Sequence, residues 1–174
     1  MMLKVDPLRL YGYLEKARGL VLDRVRGLSD AEYRRAFPIG PGSVAKTLTH
    51  TMISEWYYVQ RMLGREVPAY DSWPVREDNP PPVDELVRLW GEQASASREG
   101  LASVPDWEAP LSYRVTTDEG KRLTVTATPA DQFVQLVQHE VHHRAQVANM
   151  LRQLGRESLG DLDYNWLMFE RREE

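Results

Sequence analysis

Cysteine is absent from the 174 residues. That excludes disulfides, thiolate metal ligands and a protein-borne nucleophilic thiol together, so any thiol chemistry must use a thiol brought from outside. Histidine is scarce, at four residues, and phenylalanine scarcer, at three. No apolar run approaches the roughly 18 residues that a membrane-spanning helix needs. The first residues, Met1-Met2-Leu3-Lys4-Val5-Asp6-Pro7, lack the charged-then-apolar layout of a signal peptide. A cytoplasmic protein without a membrane partner is the expectation. Positive charge is not in excess either: 22 basic residues face 26 acidic ones, for a net charge of −4, and they are interleaved with acids instead of gathered into a stripe. Nucleic acid is therefore not an expected partner.

What remains is ordinary globular material. Hydrophobic residues make up 42% and charged ones 28%, and the five tryptophans imply substantial buried aromatic surface. The length suits one domain, residues 1–174, with a single core.

Asp6-Pro7 reads as an N-cap followed by proline at the first helical position, and Leu8, Tyr11, Leu14, Val21, Leu22 and Val25 recur at helical spacing to about Gly27. Ser29 and Glu32 form a capping-box pair for a short extra turn that ends at Pro38 and Gly40-Pro41-Gly42. Ser43 caps a second long helix whose stripe is Val44, Leu48, Met52, Trp56, Val59 and Leu63, with Gly64 at its end. Residues 65–82, rich in proline and carrying Tyr70 and Trp73, read as a long irregular connection that lines part of a site. A third helix runs from Val83 through Trp90 to Leu101. Leu111, Tyr113 and Val115, then Leu123, Val125 and Ala127, alternate with polar neighbours around the turn Asp118-Glu119-Gly120, which predicts one β-hairpin. Thr128-Pro129-Ala130-Asp131 starts a fourth long helix that ends at Gly155, and Asp161 to Glu173 read as one short terminal helix around Trp166, Leu167 and Phe169. The fold class is all-α: an antiparallel four-helix bundle with a small hairpin inserted between the third and fourth long helices.

Three of the four histidines crowd into Gln138-His139-Glu140-Val141-His142-His143-Arg144-Ala145-Gln146. On a helix His139 and His143 project about 40° apart and stack one turn above the other, the spacing of two ligands for one ion. Neutral imidazole is the commonest nitrogen donor to divalent metals, and three protein ligands with an open position make a catalytic style of site. Two partly buried histidines bonded to their neighbours are the plainer alternative. His50, whose helix face also carries Ser54, Tyr57 and Arg61, reads by itself as a solvated surface residue. It is also one of only two candidates for a third donor, and the other, His142, points about 100° from His143.

Glu140 and Arg144, four residues apart in the apolar arc, suit an ion pair, either structural or steadying the histidines. His139-Glu140-Val141-His142-His143 also satisfies H-E-x-x-H, the zinc-peptidase signature with Glu140 as general base. The longer metzincin form fails, since Gln146 and Asn149 stand where glycine and histidine are required, and one hairpin offers little edge for a peptide. A di-iron site fails for want of a second E-x-x-H.

With His50 in Thr47-Leu48-Thr49-His50, the His139–Gln146 run and the hairpin before it, the chain resembles the DinB/YfiT-like superfamily of metal-binding four-helix bundles over nearly its whole length. The resemblance implies a divalent metal, nickel or zinc, held by His50, His139 and His143, and a homodimer. It further implies a cytoplasmic enzyme acting on a small-molecule substrate, a transferase using an external low-molecular-weight thiol. The isomerase type of the family has a carboxylate ligand and a further carboxy-terminal domain that this sequence lacks. The same open site could serve a hydrolase with Glu140 as proton acceptor, a catalytic role for that residue, and a non-catalytic metal-binding bundle is the competing class.

Overall fold

The computed structural model describes residues 5–117 and 119–172. The chain is mostly helical, with one small antiparallel sheet. In order it forms α1 (Pro7–Val25), α2 (Asp30–Arg34), α3 (Val44–Met62), a single 3-10 turn at Tyr70–Ser72, α4 (Val83–Ala102), β1 (Leu111–Thr116), β2 (Arg122–Ala127), α5 (Pro129–Gln153) and α6 (Tyr164–Met168).

The helix starts are fixed by local chemistry. Asp6 Oδ1 accepts from the backbone N–H groups of Leu8 and Arg9, at 3.0 and 3.3 Å, directly before Pro7. Ser43 accepts from Lys46 at 3.1 Å. At α5, Thr128 and Asp131 exchange side-chain and backbone bonds in a full capping box, each backbone bond 3.0 Å long. Such caps satisfy N–H groups that the first turn leaves without a helical partner. Gly64 and Gly155, at φ of +66° and +72°, end α3 and α5 in the left-handed conformation that favours glycine.

Two apolar clusters make the core. One joins Val21 and Val25 of α1, Leu48 and Met52 of α3, Leu86 and Trp90 of α4, and Val147 and Leu151 of α5. The other joins Tyr11 and Leu14, Val59 and Met62, Leu101, and Phe133 and Leu136. Along α1 and α5 the chain meets the second cluster first; along α3 and α4 it meets the first cluster first. Helices α3 and α4 therefore run in the same direction, opposed to α1 and α5, where the sequence pattern predicts antiparallel neighbours. The reason is the connection 63–82. A helix of 19 residues is about 28 Å long, and a loop of this length, at about 3.3 Å per extended residue, can carry the chain back to the level where α3 began. Helix α3 packs against both α4 and α5, and α1 packs against the same two.

Between the clusters lies a layer of buried charge. Arg18 donates to both oxygens of Glu140, Nε at 3.3 Å and Nη2 at 2.7 Å, and its Nη2 also pairs with Glu55. Glu55 further accepts from Tyr11, Trp90, Gln93 and Ser97. Burial pushes the Glu55 carboxyl up, but Arg18 and the bonds from Ser97, Gln93 and Trp90 outweigh it and hold the group below its ordinary range. Glu140 has fewer donors, and burial leaves it raised in spite of Arg18. The predicted Glu140–Arg144 pair does not form: Glu140 turns to Arg18 of α1, and Arg144 Nη2 instead donates to the Tyr13 hydroxyl at 2.5 Å. A guanidinium between two buried carboxylates compensates both, which a pair along one helix could not do.

The hairpin pairs Leu111 with Ala127 through Thr116 with Arg122, and Arg61 of α3 lies over the Tyr113 ring at 4.4 Å. Thr117 N–H donates to Lys121 O at 2.8 Å to close the turn. Asp118 of the predicted turn lies outside the described residues. The terminal helix is shorter than expected; Tyr13 bonds Leu162 O at 3.0 Å and meets the Tyr164 ring edge-on at 5.1 Å, while Trp166 and Phe169 are exposed. Glu173, and Met1 to Lys4 at the other end, lie outside the described residues.

Arg18→Leu should destabilise the protein by about 3–5 kcal/mol in urea unfolding, because it leaves two carboxylates buried without a counter-charge. Replacing Arg18, Glu55 and Glu140 together by leucine should recover much of that loss.

Candidate metal centre

His50 reaches inward from α3, and His139 and His143 from α5. One ring nitrogen from each lies within 4.8 Å of the others. The ring centroids form a triangle: 4.9 Å from His50 to His139, 4.7 Å from His50 to His143, and 4.3 Å from His139 to His143. His50 Nε2 and His139 Nε2 are 3.0 Å apart. Two nitrogens bound to one tetrahedral zinc at 2.0–2.1 Å would be separated by about 3.3 Å. The pair is thus already close to the span that one small cation requires.

The outer ring nitrogens explain why lone pairs point inward. His50 Nδ1 lies 2.6 Å from Glu77 Oε2. A carboxylate only accepts, so Nδ1 carries the proton and Nε2 is left as a bare lone pair. Glu77 is itself held by its backbone N–H, which donates to the Tyr70 hydroxyl at 3.0 Å. On the other side, His143 Nδ1 lies 2.8 Å from Gln146 Oε1, and the same logic frees its Nε2. His139 has the Tyr58 ring edge-on at 5.9 Å.

Burial, followed by the neighbouring imidazoles of His143 and His50, pulls the His139 pKa down to about 3. Burial also lowers His143, against the opposing pull of its bond to Gln146. Both rings are therefore neutral near pH 7, the form that coordinates metals. Converging imidazoles, two of them with the outer proton tied to an acceptor, are an arrangement that a cation satisfies.

The family follows from the same stretch of chain. The model of the DinB superfamily matches residues 13–147, from α1 through the histidines of α5. The chain belongs to the DinB superfamily. No curated protein matches it. In this DinB protein the matched region includes His50, His139 and His143, which could together form a metal site.

Of the residues singled out in the sequence, these three histidines are brought together. Glu140 is not brought to them: it points into the core, where Arg18 engages both carboxylate oxygens. The peptidase reading needs that glutamate beside the metal, and the helix turns it about 100° from His139. The connection 65–82 does reach the site, though through Glu77. Trp73 instead packs edge-on against Trp56 at 5.0 Å and, with Met52, Ile53, Pro74, Val75 and Leu89, lines an apolar cavity of about 220 Å³ that contains no histidine. Two residues at the site, Gln146 and Glu77, do not stand out in the sequence. Gln146 lies three positions beyond His143, a spacing that could have marked it as a partner on the same face. Glu77 carries no local signal, because only the path of the loop brings it to His50.

The depressed His139 pKa has a stability consequence. The unfolded chain takes up a proton on this residue below about pH 6.5, whereas the folded chain refuses it until about pH 3. Metal-free protein should therefore lose stability as pH falls through this window and be insensitive to His139 above it. Urea midpoints at pH 7.5 and 4.5 should differ less for His139→Gln than for the natural protein.

Proposed function

We propose that this DinB protein is a metal-dependent enzyme acting on a small molecule, with a divalent ion, nickel or zinc, held by His50, His139 and His143. The reaction is transfer of an external low-molecular-weight thiol to an electrophile. The observation that carries the reading is the convergence of three imidazoles, with Glu77 and Gln146 on the outer nitrogens of His50 and His143 leaving the inner nitrogen of each free to coordinate. A divalent ion on neutral ligands keeps its full charge and, when bound, favours the thiolate form of a coordinated thiol. The absence of cysteine means that this thiol comes from the medium.

The residues around the site then have assignable tasks. Glu77 and Gln146 hold the His50 and His143 rings in the ligating tautomer. His139, kept neutral by burial, needs no proton loss before it serves as donor. The hydrolytic alternative is less well supported, since Glu140 is committed to Arg18 and Glu77 to His50. The pairwise packing of α1, α3, α4 and α5 supports a single four-helix bundle domain, with the site on the α3–α5 seam. A homodimer fits the exposed Val134 and Val141, which are seven residues apart and share one face of α5.

Protein purified with zinc or nickel should hold one ion per chain by elemental analysis, and His139→Ala should lose it. In the cobalt-substituted protein, N-acetylcysteine should shift the visible bands. Failure to hold stoichiometric metal would refute the ligand set, whereas metal without any response to thiol would refute the transferase reading.

A further inference from the structure

His142, the exposed member of the histidine cluster, and Gly40, at the tip of a turn about a hundred residues earlier, meet at one side chain. That side chain is Gln146. Its Oε1 accepts from His143 Nδ1 at 2.8 Å and its Nε2 donates to His142 Nε2 at 2.9 Å. One side of the amide is closed by Gly40. A Cβ added there would meet Gln146 Oε1 first and lie 2.7 Å from its Cδ and 3.0 Å from Nε2, so the amide would have to move. Gly40 adopts a φ of +49°, and its turn is closed by Phe37 N–H to Gly42 O at 2.8 Å and Gly42 N–H to Ile39 O at 3.0 Å. Phe37 belongs to the core cluster and Ile39 packs against it, so the surface facing Gln146 is fixed.

We propose that Gly40 and His142 are positioning residues for His143, acting through Gln146. A glutamine amide presents oxygen on one side and NH2 on the other. In the observed orientation oxygen meets His143 Nδ1, which places the ring proton there and leaves Nε2 as a bare donor toward His50 and His139. The reverse orientation would offer NH2 to Nδ1, move the proton to Nε2 and remove the third donor. With its own proton on Nδ1, His142 opposes that reversal, because the turned amide would set its oxygen against the lone pair of His142 Nε2. Gly40 supplies the space that the amide occupies while it bonds the two rings. His142 thus belongs to the site without being a ligand, and so does a loop residue that no histidine motif includes. The consequence for metal binding rests on the reading given under Proposed function; the geometry and the tautomer do not.

The test has two readouts. Long-range proton–nitrogen correlation spectra of the metal-free protein report the His143 tautomer, and competition with a chromophoric chelator reports zinc affinity. The natural protein should show His143 protonated at Nδ1. His142→Ala, Gly40→Ala and Gln146→Leu should each move population toward Nε2–H and weaken zinc binding by about tenfold or more. Gln146→Glu keeps an acceptor at Nδ1 and should retain both the tautomer and the affinity, even when combined with His142→Ala. If Gly40 acts through the amide, Gly40→Ala should add nothing in the Gln146→Leu background. An unchanged tautomer in His142→Ala, or an equal effect of Gly40→Ala with and without the glutamine, would overturn the proposal. Should Gly40→Ala fail to fold, His142→Ala and the two Gln146 variants decide. If the natural protein binds no zinc, the metal reading falls, while the tautomer spectra still judge this one.

Discussion

The guanidinium of Arg18 is the constraint to which the rest of the molecule conforms. It sits between Glu55 of α3 and Glu140 of α5 while belonging to α1, so three helices share one buried charge. Apolar packing alone allows helices to slide by fractions of a turn at modest cost, whereas separating this triad would leave ions buried without partners. The clamp therefore fixes how far along, and at what rotation, α5 stands against α3. Because Glu140 follows His139 and precedes His143 on the same helix, turning Glu140 inward to Arg18 turns the two imidazoles toward α3 and His50. The histidine cluster and the charged layer are two faces of one placement.

This explains why Glu140 is misread when only its neighbours are considered. Its spacing from His139 and His143 satisfies a peptidase pattern, but a pattern records positions along a chain and not the residue waiting across the core. The elements that were legible are those determined within a few residues: the helix starts at Asp6, Ser43 and Thr128, the alternation of the hairpin, and the pairing of His139 with His143 one turn apart. His50 could be named because so few histidines compete for the role. Glu77, Arg18 and the shared direction of α3 and α4 were not legible, since each depends on where a connection of irregular backbone, or a helix far away in sequence, comes to rest.

The centre is also asymmetric in its support. His50 hands its outer proton to a carboxylate, His143 to an amide, and His139 is positioned by burial among rings. A carboxylate partner makes its imidazole a more electron-rich donor than an amide partner does. Three chemically identical side chains would thus differ as ligands, and the differences are written in the residues that hold their outer nitrogens.

The loop that delivers Glu77 carries Pro68, Pro74 and Pro80 to Pro82, and it ties down its own backbone, with Trp73 Nε1 donating to Pro68 O at 2.9 Å and Ser72 Oγ to Ala69 O at 2.7 Å. Proline restricts the unfolded chain as well as the folded one, so fewer conformations are surrendered when such a segment takes its final shape. A long connection would ordinarily be a poor place from which to hold a ring nitrogen at 2.6 Å, as Glu77 holds His50. Here the stiffness needed at the site has been placed in the covalent chain itself, several residues away, as an entropic property of the sequence and not as one more contact in the fold.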